Sequence, residues 1–260
     1  MTFPVLSGAS RSRKIGLAAS FSALYGLFRV APTFPIVGLS GAYFPLSDVL
    51  PPVYGLLLGP ELGFIVVFTG TLLALLLGKP PIFLGLDFIP ASMNTVVVGL
   101  AAEGMFLRAA LLYAVVLAVF IIHPASSKVV EVPLSSLTIP IPFHWMHLLT
   151  ILIATPPVSK RLARWLNPVG ESPKSFLSLF SLSLLGTLCQ HSSGSVLWET
   201  IYGYVLNALT PEEFKTIWAT VFWLYPAERI LLALTSTVLG VSILKILTKL
   251  RGNGSIPPPR

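Results

Sequence analysis

The residues able to do chemistry in this chain fall within or at the ends of long apolar stretches. Asp48 follows Tyr43-Phe-Pro-Leu-Ser, and Asp87 and Asn94 flank the start of another apolar run. Gln190, His191, Trp198 and Glu199 cluster toward the end of a third stretch, with Tyr202 and Tyr204 just beyond. Glu228 and Arg229 are adjacent near the start of the last one. Ionisable groups inside an apolar span are costly, so each is a functional candidate. Together they describe a polar, aromatic-rich region of the kind that lines a small-molecule pocket. The plain alternative is that they meet water at an interface, with Glu228 and Arg229 a local ion pair. The four histidines, His123, His144, His147 and His191, fall toward the same side. His144 and His147 share a helix face at i, i+3 and would suit a soft metal, though interfacial hydrogen bonding is the simpler reading and no metal site is assigned.

Known reaction motifs are missing or broken. Gly70 to Lys79 ends in Gly-Lys, but the spacing is wrong for a phosphate loop and Pro80 stands where Ser or Thr is needed. There is no His-Glu-x-x-His. Gly38-Leu-Ser40-Gly41 and His191-Ser-Ser-Gly194 look like fragments of an intramembrane serine protease, but Trp198 replaces its final Gly. The Ser lies in a Pro-flanked loop far from the His it would need as base. The chain is therefore read as a non-enzyme without a cofactor.

Composition names the elements that must position these residues. Of 260 residues, 54% are hydrophobic and 10% charged, against about 25% charged in soluble domains. The bilayer must be part of the solvent, and the fold class expected is an all-α integral membrane protein. Eight candidate spans follow: 15–30, 43–58, 62–78, 84–102, 107–122, 143–158, 175–198 and 223–247, separated by Pro-rich junctions. Several are short, and six full spans with two re-entrant segments would fit equally. One transmembrane domain, 1–252, and a Pro-rich cytoplasmic tail, 253–260, are expected.

Charge orients the spans. With the N-terminus inside and eight spans alternating, Arg11, Arg13, Lys14, Arg108, Lys160, Arg161, Arg164, Lys174, Lys245, Lys249, Arg251 and Arg260 lie inside, 12 of the 17 basic residues. Arg29, Lys79, Lys128, Lys215 and Arg229 lie outside with most of the acids, which satisfies the positive-inside rule and puts both termini in the cytoplasm. Trp145, Trp198, Trp218 and Trp223 fall at the outer boundary and Trp165 at the inner one, as an aromatic belt would. The basic residues thus explain the net charge of +7 without nucleic acid. A cleavable signal peptide is a weaker reading of the N-terminus than a retained helix, because the rest of the chain has the same texture. Cys189 is the one cysteine, which excludes an internal disulfide.

The first span carries Ala19 and Ala23, and Ser22 and Gly26, each pair four residues apart. Small residues at that spacing let another helix approach closely, either a partner's or the chain's own. With Ala19-Ser-Phe-Ser-Ala23-Leu-Tyr-Gly, then Tyr54-Gly-Leu-Leu-Leu-Gly59-Pro60-Glu-Leu-Gly63, Leu86-Asp87-Phe-Ile-Pro90-Ala91 and Pro226-Ala-Glu228-Arg229, the chain resembles the substrate-binding S component of energy-coupling factor importers. The likeness covers about the first 105 residues and, more loosely, the last 80. Members usually have six helices, which leaves 107–158 as an insertion.

The resemblance implies capture of a vitamin-like micronutrient from outside the cell. It also implies docking through the first helix, at Ala19, Ser22, Ala23 and Gly26, on a membrane coupling subunit joined to two ATPases. It makes Pro35–Tyr43 and Lys79–Asp87 the loops over the pocket. The competing expectation is a non-transporting accessory or assembly subunit of a larger membrane complex, which would need no pocket.

Overall fold

The computed structural model describes residues 10–134, 137–166 and 173–252. The expected tail, 253–260, and the first nine residues of the expected domain lie outside the described residues. The chain is mostly helical. Among the described residues there are eight α-helices: α1 (Arg11–Val30), α2 (Pro51–Leu76), α3 (Ile89–Ala102), α4 (Phe106–Ile122), α5 (Trp145–Ile151), α6 (Val158–Trp165), α7 (Pro173–Thr200) and α8 (Pro211–Gly252). Two antiparallel hairpins join them, β1 (Pro32–Pro35) with β2 (Tyr43–Pro45), and β3 (Val129–Leu134) with β4 (Leu137–Pro142). The second hairpin was not expected in an all-α chain, although Val129-Val-Glu-Val and Leu137-Thr-Ile, rich in β-branched residues, flank a serine pair.

These are not the eight helices expected. Two are long and apolar enough to cross a membrane by length and composition, Pro51–Leu76 and Pro211–Ile246. The first is broken at Gly59, whose φ of 80° and ψ of 179° no helix contains. A Cβ on Gly63 would lie 3.4 Å from the Tyr54 carbonyl oxygen. In a straight helix, residues nine apart are about 13 Å apart. The chain therefore folds back at Gly59-Pro60, and both arms rest on Thr95 of α3. This is the break expected between spans 43–58 and 62–78.

Elsewhere the boundaries move. The expected span 143–158 is replaced by the seven residues of α5 and a 3-10 turn, Leu152–Ala154, before α6 starts after Pro157. α8 begins at Pro211 rather than 223, because Thr210 and Glu213 form a capping box. Glu213 Oε2 accepts from Thr210 N at 2.8 Å, and Thr210 Oγ1 accepts from Glu213 N at 3.3 Å. Pro226, near the start of the expected span 223–247, lies well inside α8.

α1 packs on α2, α2 on α3, and α7 against α3, α4 and α8. Close approach depends on small residues: a Cβ on Gly26 would come within 2.9 Å of the Gly70 carbonyl, and one on Gly70 within 2.7 Å of that of Ser22. The outer faces are apolar. Leu107, Leu111, Val115, Val119 and Ile122, at helical spacing along α4, are each at least 41% exposed.

Candidate functional site

A cavity of about 110 Å³ opens at one end of the bundle. The last turn of α1, the segments 35–48 and 79–87, the start of α3, the end of α7 and the first half of α8 all meet there. Counting about 10–15 Å³ for each water, it has room for a solute of on the order of ten heavy atoms. The fold-back at Gly59 makes this possible: it carries the chain from Asp48 to the far end of the bundle and returns it to Lys79.

Leaving aside Tyr204, which meets the His123 ring outside the cavity, seven of the ten sequence-predicted binding residues line it: Asp48, Asp87, Gln190, His191, Trp198, Glu228 and Arg229. Both loops that the resemblance placed over a pocket contribute, through Pro35 to Leu39 and Lys79 to Asp87. Asp87 is occupied with its own loop. Its Oδ1 accepts from Ile82 N at 2.8 Å and its Oδ2 from Phe83 N at 3.1 Å. The same loop holds Leu84 at φ 52°, a left-handed conformation that non-glycine residues seldom adopt. Asp48, on the 3-10 turn Leu46–Val49, is 4% exposed and forms no ion pair among the described residues. The charges acting on it are Arg29, then Arg229, with Lys79 weaker, and Gln190 is the side chain that can donate to it.

Three predicted residues stand apart. Asn94 lies behind the wall and donates from Nδ2 to Gln190 Oε1 at 2.8 Å, which leaves the Gln190 amide hydrogens free to face Asp48. Glu199 turns away from the cavity toward the end of α4. One residue past Trp198 is about 100° around a helix, so it meets His123 Nδ1 at 3.0 Å instead. Tyr202 donates its hydroxyl proton to the Ile82 carbonyl at 3.0 Å and so braces the covering loop from outside.

Sequence reasoning missed Arg29, Lys79, Phe44 and Trp218. Arg29 had been grouped with the outer basic residues. It is 6% exposed, donates from Nη1 to Tyr25 Oη at 3.1 Å and from Nη2 to the Asp87 carbonyl at 2.7 Å, and leaves Nε without a partner. Its place one turn after Tyr25, just before Pro32, was the available signal. Arg229 is 1% exposed, lies over the Phe44 ring at 5.1 Å, and has one long contact, 3.4 Å to Glu228 Oε2. Lys79 is half-buried. Burial and then the Arg29 charge push its amine below the ordinary range, while Asp48 and Asp87 oppose them.

Trp198 and Trp218, expected in an outer aromatic belt, are buried. They meet edge to face at 5.3 Å in the cavity wall, and Trp198 Nε1 has no partner. Trp218 became part of the site because α8 starts twelve residues early.

Behind His191 lies a ring cluster. His191 stacks on Tyr225 with a 9° interplanar angle, and His147 Nε2 is 2.9 Å from His191 Nδ1, so one ring donates and the other accepts. Tyr225 donates to the Phe143 carbonyl. Of the pair read as a possible metal site, His144 points to Ser126 and His147 to His191. Among the described residues, no group of three or more His, Cys, Asp or Glu is arranged to hold a metal. Ser195 is the Ser in the cavity wall, and His191 Nδ1 is engaged with His147.

Of the docking residues, Ala19 and Ala23 lie on an open face of α1, whereas Ser22 and Gly26 are buried in the contact with α2.

Compared with known protein families, curated proteins and solved structures, the chain matches none.

Proposed function

We propose that this chain is a multi-pass membrane protein that binds a small solute at its outer end, as the substrate-binding subunit of an importer of the energy-coupling factor type. The observation that carries the reading is the cavity. Residues far apart in sequence, from α1 to α8, converge on one partly open, largely apolar cavity with buried charged groups in its wall, under two loops. An accessory subunit would have no need of it. The apolar exposed stripe on α4 supports the bilayer, because a contiguous face of this kind is unfavourable in water. At the cavity end Asp48, Asp87 and Glu228 balance Arg29, Lys79 and Arg229, whereas the far starts of α1 and α4 carry Arg11, Arg13, Lys14 and Arg108 with no acid in either first turn. On the positive-inside rule the cavity then faces outward from the plasma membrane, with both termini cytoplasmic.

In this reading the chain binds and releases and catalyses no reaction itself. A coupling subunit with ATPases supplies the energy, and the open face at Ala19 and Ala23 is where the coupling subunit docks. Native mass spectrometry of the gently solubilised protein from its own cells tests this. A bound small molecule, together with a coupling subunit and ATPases, is the expected result. An empty chain associated only with unrelated membrane subunits would overturn the reading in favour of the accessory subunit.

A further inference from the structure

Resting on that reading, we infer that the solute is a small zwitterion: a carboxylate held by Arg29 and Arg229, an N–H donor held by Asp48, and a flat body against Trp198 and Trp218. Both arginines are more than nine-tenths buried, line the cavity and keep a nitrogen without a partner. Among the described residues Arg29 bonds only to neutral oxygens, and the carboxylate in contact with Arg229, that of Glu228, is at 3.4 Å, long for a charged hydrogen bond. A guanidinium has five donors in a fixed fork that matches a carboxylate. Two such forks left under-used in one cavity define an acceptor-rich ligand group. Asp48 is the converse: a buried carboxylate in the same wall with neutral Gln190 as its donor and, among the described residues, no ion pair, which leaves room for a cationic N–H.

Charge selects between anions. The cavity holds three cations, Arg29, Lys79 and Arg229, and three carboxylates, Asp48, Asp87 and Glu228. These cancel, so a solute bringing one carboxylate and one protonated nitrogen enters without unbalanced charge, and a phosphate dianion does not. The volume restricts the body to about one ring, and the unpartnered Trp198 indole N–H adds a donor beside it.

The test uses the full chain in nanodiscs and three matched probes read by calorimetry and tryptophan fluorescence. These are 4-(aminomethyl)benzoate, its carboxamide, which lacks the anion, and 4-methylbenzoate, which lacks the amine. Each truncated probe is expected to bind roughly ten- to a hundredfold more weakly. Arg229→Gln should erase the preference for acid over amide, and Asp48→Asn the preference for amine over methyl. Should Arg229→Gln not fold, Arg229→Lys keeps the charge but loses the fork, and should narrow the same preference. Equal affinities for the three probes, no binding by any of them, or preferences that survive these substitutions overturn the inference. The binding reading itself falls separately, only if the native protein carries no solute of any kind.

Discussion

Asp87 shows how a charged residue can serve a site without touching what enters it. The Asp87 carboxylate closes its own loop through two backbone N–H groups, and its carbonyl receives Arg29. In Asp87→Ala, the Ile82 and Phe83 N–H groups lose their acceptors, at a cost of about 1–3 kcal/mol. The loop that covers the cavity should then become the first segment to open. Chymotryptic cleavage after Phe83 is expected to rise in the variant, and an unchanged cleavage rate would show that the carboxylate does not hold the loop. Sequence alone ranked Asp87 beside Asp48 because both are acids near apolar runs. Their different roles depend on the fold: Asp87 has backbone donors four and five residues earlier, and Asp48 has none.

At the scale of elements, two glycine contacts organise the bundle. The reversal at Gly59 needs a φ/ψ combination that only glycine adopts readily, and a Cβ there would approach Glu103 Oε1 at 2.7 Å. Gly59→Ala should cost on the order of 1–3 kcal/mol, seen as a lower melting temperature in detergent, and a melting temperature equal to wild type would contradict the fold-back. α1 offers a contrast between its two small-residue faces. Gly26→Leu drives a side chain into the Gly70 backbone and should destabilise the fold by about 1–3 kcal/mol. Ala23→Trp lies on the open face and should leave melting and solute binding unchanged while abolishing co-purification with a coupling subunit. A complex that survives Ala23→Trp removes the docking surface. The i, i+4 spacing marked both faces in sequence, but which one is already used by α2 is decided by the packing.

At the scale of the whole molecule, the ends of the bundle differ in charge and in structure. If the cavity faces outward, Glu131→Cys in the β3–β4 hairpin should react with an impermeant maleimide on intact cells. Arg161→Cys in α6 should react only after permeabilisation. Labelling of Arg161→Cys from outside would invert the orientation and with it the importer reading. The native Cys189 is fully buried and leaves the background low.

The helical class, the polar cluster and the break near Gly59 followed from composition, from ionisable residues in apolar runs and from Gly-Pro, all of which are local properties of the chain. Whether a polar residue reaches the cavity was not local. Trp198 and Glu199 are neighbours in sequence, yet one turn angle puts the first in the wall and the second against His123. Arg29 and Arg229 are 200 residues apart and converge only because the chain doubles back at Gly59 and α8 begins at Thr210's cap. A sequence records which side chains carry charge, but the desolvation and pairing that set what each charge does depend on its neighbours in space, and tertiary packing alone chose those.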